Sequence, residues 1–283
     1  MQKPSIAGPS ATLLDDLGAL RAQGPDAVKF LQGQLSNDVT RLIGAGSMLA
    51  GLHNPQGRVV ALLRLISLGP EDVLAILPRE LVPAVVARLS KYVLRAKVKI
   101  TDVSGEWQIV GIVDDTAPAA SEQCAVVRVC ENPARWWIAA RMSEASRPAV
   151  TAAPEGFAPL DREGWRALDI AAEVPQVYTA TSEEFVAQML NLDTLGAIAF
   201  DKGCYTGQEV IARAHYRGRV KRRAQRFHVA EENLSAGASG TLPDGRSFKV
   251  VEAVRSAIGG SDVLAVASLA TEEEAAQPGA TTD

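Results

Sequence analysis

The sequence predicts an α+β protein, helices packed on largely antiparallel sheets, and three observations carry that expectation. Short apolar runs of strand length recur along the 283 residues. Segments with helical spacing stand between them, and turn sequences join several neighbouring runs closely enough to form hairpins, which pair antiparallel.

In order, "LGALRAQG" at 17–24 reads as a strand running into a turn. "PDAVKFLQGQL" follows as a helix, with Pro25 suited to its first turn and Val28, Leu31 and Leu35 on one face. In "SMLAGLHNPQGRVVALLRLISLG" two apolar runs flank Asn54-Pro55-Gln56-Gly57, a hairpin signal because proline and glycine fit a tight turn. "DVLAIL" is a buried strand. "PRELVPAVVARLSKYVL" is a helix with Leu81, Val85, Leu89 and Tyr92 at helical spacing, which places Pro83 in its first turn. "AKVKITDVS" alternates with period two, and "EWQIVGIVD" is a further strand. "CAVVRVC" and "RWWIAARM" are strands on either side of "ENPA"; Cys124 and Cys130, six apart, face one side as small core residues.

"RPAVTAAPEGFAPLD" is a connection rich in proline and alanine, and "REGWRALDIA" a helix. Thr181 with Glu184 forms a capping box for a helix over "EEFVAQML". Residues 206–216 form the next helix, with Val210, Ile211 and Ala214 available for its buried face. From about residue 218 short strands punctuated by Asp244-Gly245 and Gly259-Gly260 predict a small barrel or sandwich. The last residues, "TEEEAAQPGATTD", read as a frayed acidic tail. Three units result, 1–104, 105–217 and 218–283, the first two able to interleave.

Composition limits the function classes. At 47% hydrophobic and 22% charged residues the chain suits a soluble globular fold. A formal net charge of -4 argues against coating nucleic acid by bulk charge and leaves room for a local basic patch. No run approaches the ~20 apolar residues of a membrane span, and the acidic residues and prolines of the first 20 positions do not suit a signal peptide. A cytoplasmic protein without membrane contact is expected. The three cysteines, Cys124, Cys130 and Cys204, form no CxxC and have no histidine pair at ligand spacing, so neither a disulfide framework nor a stably bound metal is expected.

The stretch "KGCYTGQE", 202–209, carries the chemistry. Cys204 stands between Gly203 and Gly207, two residues after Lys202 and just ahead of a helix. Unpaired N–H groups at a helix start and a lysine charge both favour thiolate over thiol, and the glycines admit a close ligand or backbone. The competing reading is a small cysteine in an ordinary turn. Beyond the motif Arg213, Arg217, Arg219, Lys221, Arg222, Arg223 and Arg226 form a basic cluster. It suits a solvated edge strand, or a face that holds a phosphate or makes a weak RNA contact through 213–226, with Arg213 able to pair with Glu209 one turn earlier.

The run "FDKGCYTGQEVIARAHYRG" resembles the signature of the YgfZ group of folate-binding proteins, relatives of the glycine-cleavage aminomethyltransferase. "VKFLQGQLSNDV", "NPQGRVVALLRL" and "EEFVAQMLNLDTLGAIAF" extend the likeness over most of 15–225. The resemblance implies a three-domain ring with a small C-terminal β-barrel, around a central tetrahydrofolate pocket. It also implies a role in assembly or repair of iron-sulfur enzymes, tRNA-modifying ones included, with client enzymes or assembly proteins as partners. Carried over, Lys202, Gly203, Cys204, Tyr205, Gly207, Gln208 and Glu209 are the signature residues, with Cys204 and Lys202 as the reactive pair. Trp165 and Gln34 would line the folate pocket, with ordinary core packing the competing reading of Trp165, and Arg213 could hold folate's glutamate tail.

Three departures qualify the likeness. Where the aminomethyltransferases carry a catalytic aspartate this chain has Arg79 and Glu80, which argues against glycine-cleavage activity. Ala171 stands where relatives place a pterin-binding glutamate, with Glu173 two residues on, and Leu17 replaces a second tryptophan. A stable cluster generally needs about four thiolates; one thiolate supplies a single transient ligand or a nucleophile. A folate-independent adaptor that docks clients is the alternative, and a one-carbon transferase a weaker third.

Overall fold

The computed structural model describes residues 8–121, 123–142 and 155–270. The acidic tail and much of the proline- and alanine-rich connection lie outside the described residues.

The chain opens with β1 (Ser10–Leu13) and β2 (Leu17–Gln23), then α1 (Ala27–Gln32). A 3-10 turn leads to α2 (Leu42–Ala45) and to the hairpin of β3 (Ser47–His53) and β4 (Val59–Gly69). β5 (Asp72–Pro78), α3 (Val82–Ser90) and β6 (Lys99–Asp102) complete the first half. β3, β4, β5, β2 and β6 lie side by side in that order, antiparallel throughout. The α3 face at Val82, Val85 and Leu89 packs into the core beside this sheet. The helix stops at Ser90, so Tyr92 lies beyond it and half-exposed, and Pro83 sits in the first turn, where its missing N–H costs nothing.

A second sheet takes its strands from distant places. β7 (Trp107–Val113), β8 (Cys124–Cys130), β9 (Arg135–Arg141) and the short β10 (Ala158–Pro159) join β1 in the order β10-β1-β7-β9-β8. α4 (Arg162–Ala171) follows, its start capped by Asp161 accepting from the Gly164 N–H. α5 (Gln208–Tyr216) then leads to a third sheet of β11 (Arg222–Val229), β12 (Ser239–Thr241), β13 (Ser247–Arg255) and β14 (Ser261–Ser268). Its order is β11-β14-β13-β12, with β11 on the edge, and among the described residues it stays open and closes no barrel. One hydrophobic core joins β2–β5, the 170–211 region and residues of β11, β13 and β14, so the third sheet is not an appendage.

Three local expectations fail. Cys124 and Cys130 are half-buried, not core residues, and a register shift between Arg128 and Cys130 takes them off a common face of the strand. No helix forms over 183–190, because β4 captures the segment. Val59 N–H donates to Phe185 O, Glu183 N–H donates to Val59 O, and Ser182 Oγ donates to Val60 O. Only a 3-10 turn remains at Ala187–Leu190, ended by left-handed Asn191. On α5, Ile211 is buried but Val210 is exposed, its side chain lying over Gly57 of the hairpin turn and not in the core. Among the described residues no helix is long and apolar enough to cross a membrane.

Candidate functional site

The 202–209 loop is pinned at both ends. Lys202 Nζ donates to the carbonyls of Gln32, Leu35 and Asn37 at 2.7, 2.6 and 2.9 Å, where the chain leaves α1. Its ammonium therefore faces backbone oxygens, not the thiol, and stands 5.0 Å from the centre of the Tyr205 ring. Burial draws its pKa down to about 8. Tyr205 is buried in the main core, and burial pushes its phenol up to about 12. Gln208 Oε1 accepts the Tyr205 N–H at 3.3 Å.

Gly207 caps α5 at φ +83, and a Cβ there would come within 2.6 Å of Asn54 O and 3.0 Å of Gly57 Cα. The glycine of the motif and the glycine of the hairpin thus meet backbone to backbone, which explains why both segments need them. Gly203 borders open space. Between these anchors Cys204 is exposed, as is Glu209.

Because three carbonyls depend on one ammonium, Lys202→Met is expected to cost about 2–4 kcal/mol of stability. Urea denaturation measures it. An unchanged midpoint would mean that water satisfies the carbonyls and that the clamp contributes nothing.

A second constellation lies inside. Two narrow clefts meet at Trp137, Asp169 and Gln176. The first reaches Arg64 on β4 and Glu252 on β13; the second reaches Asp16, Trp165, Arg166 and Tyr178. Arg135, with no exposed surface, donates to Asp169 at 2.5 Å and stacks its guanidinium 5.0 Å from the Trp165 ring. Arg166 pairs with Asp16 at 2.9 Å, and the Tyr178 hydroxyl donates to Glu252. Several buried donors have no hydrogen-bond partner among the described residues: Arg64 Nε, Arg135 Nε and Nη2, Arg166 Nε and Trp137 Nε1. Unpaired donors out of water are costly and point to a ligand with acceptors.

Burial dominates the electrostatics here. It lowers Arg64 to about 10, still charged at neutral pH, and raises Asp169. Burial lifts Glu252 to about 7 and holds Tyr178 well above its usual range. Among the described residues no group of His, Cys, Asp and Glu side chains gathers to hold a metal ion.

The residues expected from sequence separate into two places. Trp165 borders the second cleft, although only 3% exposed and packed over Gly111, whose added Cβ would stand 2.6 Å from the ring. Gln34 sits in the segment clamped by Lys202 and lines neither cleft. Arg213 is exposed on α5 and, among the described residues, makes no ion pair with Glu209. No motif residue lines either cleft. Glu173 turns to Arg226 at 3.4 Å, and Arg226 also donates to Ala171 O. Arg223 forks onto Asp193, so part of the basic cluster holds the fold together. Sequence reasoning missed Arg64, Arg135, Trp137, Asp169, Gln176, Tyr178 and Glu252.

Comparison with known proteins adds the lineage. No family model matches the chain. A protein of Haemophilus influenzae called uncharacterized is 34% identical over 213 residues, 74% of this chain and 70% of that protein. The tRNA-modifying protein YgfZ of Klebsiella pneumoniae is 34% identical over 227 residues, 74% of this chain and 68% of that protein. Among solved structures, the glycine cleavage system aminomethyltransferase T of Bartonella henselae superposes with a TM-score of 0.72. It is 13% identical, and the match covers 93% of this chain and 79% of that one, a likeness of fold. With the complete "KGCYTGQE" signature in place on this fold, the chain belongs to the YgfZ family.

Proposed function

We propose that this protein is a cytoplasmic tetrahydrofolate-binding factor that supports assembly or repair of iron-sulfur enzymes, tRNA-modifying ones among them, through Cys204. The observation that carries the folate reading is the buried cleft with unpartnered donors at Arg64 and Trp137 and the Glu252 carboxylate among its walls. A pterin's aminopyrimidinone edge offers N–H donors beside a carbonyl acceptor. Glu252 suits the donors, replacing the carboxylate that Ala171 lacks, while Arg64 and the indole N–H suit the acceptor. Tetrahydrofolate would bring a carried one-carbon unit to this site.

Each cleft holds only about 30 Å³, room for little more than water. Gln176, common to both, must move aside to admit a ring system. Among the described residues its side chain bonds only the next residue's N–H, at 3.1 Å, so little opposes that movement. All three proposed units, 1–104, 105–217 and 218–283, contribute walls, through Arg64, Trp137 and Glu252 respectively. This supports their arrangement as a ring around the site. The name of the Klebsiella pneumoniae relative supports the tRNA-modifying half of the proposal.

Anaerobic titration of the reduced protein with tetrahydrofolate, followed by tryptophan fluorescence and calorimetry, tests the reading. Saturable binding weakened by Trp137→Phe, which keeps the ring and removes the N–H, is expected. No binding at millimolar ligand ends it. The adaptor reading would then lead, because Cys204 is exposed on a loop whose residues line neither cleft.

A further inference from the structure

A roomier cleft, about 240 Å³, shares no residue with the two above. Three cations reach it from three elements: Arg58 from the β3–β4 turn, Arg222 from β11 and Lys249 from β13. They face one carboxylate, Glu184, which already pairs with Lys249. Phe185 and Val266, both buried, form part of an apolar floor. We propose that this cleft binds the phosphate of a nucleotide, free or within an RNA strand.

The donors suit that ligand. Arg222 spends one nitrogen on Val266 O at 3.3 Å, and its Nε is buried without a partner among the described residues. Arg58 is held by Nη1, which donates to Glu183 O at 3.2 Å and Glu184 O at 2.6 Å, so its fork is oriented before any ligand arrives. A planar carboxylate is satisfied by a single guanidinium fork. Donors that converge from three directions match a tetrahedral oxyanion better, and an apolar floor strengthens each contact. Lys221 precedes Arg222 and is exposed, as is Arg217, so positive charge continues outward along the chain, as a polyanionic strand would require.

The location gives the site a purpose. Arg58 follows Gly57, which packs against Gly207 of the cysteine loop. A strand held here would lie beside the segment that presents Cys204. The inference is independent of folate, because none of these side chains borders the folate cleft.

Anisotropy of a labelled single-stranded RNA, with calorimetry of AMP and of inorganic phosphate, tests the proposal. Arg58→Gln and Arg222→Gln are each expected to weaken binding roughly tenfold, the loss of one charge-assisted contact. Glu184→Gln is expected to tighten it, a gain that misfolding cannot mimic, and folate titration is expected to stay unchanged in Arg58→Gln. AMP binding as tightly as RNA would assign a single-nucleotide site; much tighter RNA would assign the phosphodiester backbone, and either supports the proposal. Absence of saturable binding by RNA, AMP and phosphate overturns it. Binding that Arg58→Gln and Glu184→Gln both leave unchanged overturns it as well.

Discussion

Cys204→Ala is expected to abolish restoration of iron-sulfur enzyme activity in a strain lacking the protein, while leaving the fold intact. The thiol is exposed, and among the described residues it has no hydrogen-bond partner. The loop's shape comes from its neighbours: the three-carbonyl clamp of Lys202, the buried Tyr205 ring and the close approach of Gly207 to Gly57. Removing one exposed sulfur should therefore change stability by no more than about 0.5 kcal/mol. Melting curves alongside complementation separate the two effects. Lys202→Met gives the opposite pattern, because it acts first on stability. Full restoration by Cys204→Ala would remove the thiol from the mechanism and leave the loop as a docking surface.

That contrast shows what the sequence could and could not convey. The exposure of Cys204 was legible because it depends on a few adjacent residues: a lysine, two glycines and a helix start. The direction of the Lys202 side chain was not, since its acceptors at 32, 35 and 37 lie far away in the chain and meet it only in the fold. Strands with strong alternation or strong turns, such as the Asn54–Gly57 hairpin, were equally legible. The capping box at Thr181 misled because hydrogen bonds to β4 outweigh a local helix signal. The openness of the third sheet is also a matter of long-range pairing, which turn spacing does not specify.

The cleft was hidden for the same reason, because its walls come from residues as far apart as 64 and 252. A faint signal existed. Arg64 interrupts the apolar run of β4, and Glu252 interrupts that of β13. A charge in the middle of a buried strand must find a partner or serve a ligand, and that rule could have marked both positions.

Glu252 gives the second large effect, and its sign can be derived. Burial raises its pKa from 4.5 to about 7, so the folded protein holds this proton more tightly than the unfolded chain does. The resulting stability is fully present below pH 4.5 and is lost as pH rises through 7. A shift of this size corresponds to about 3 kcal/mol. Glu252→Gln cannot ionise, and its carbonyl can still accept from Tyr178. The variant should therefore match the parent near pH 4 and exceed it at pH 8 by up to about 3 kcal/mol in urea unfolding. Folate binding should move the other way. An ionised carboxylate accepts the pterin's N–H donors, whereas an amide nitrogen opposes them, so Glu252→Gln should lose about tenfold or more in affinity. Parent affinity should rise as pH passes 7, and this dependence should vanish in the variant. A purely structural Glu252 would alter the stability profile alone. Parent-like folate affinity with an unchanged pH profile in Glu252→Gln would therefore remove this carboxylate from the ligand site, even if its effect on stability appeared in full.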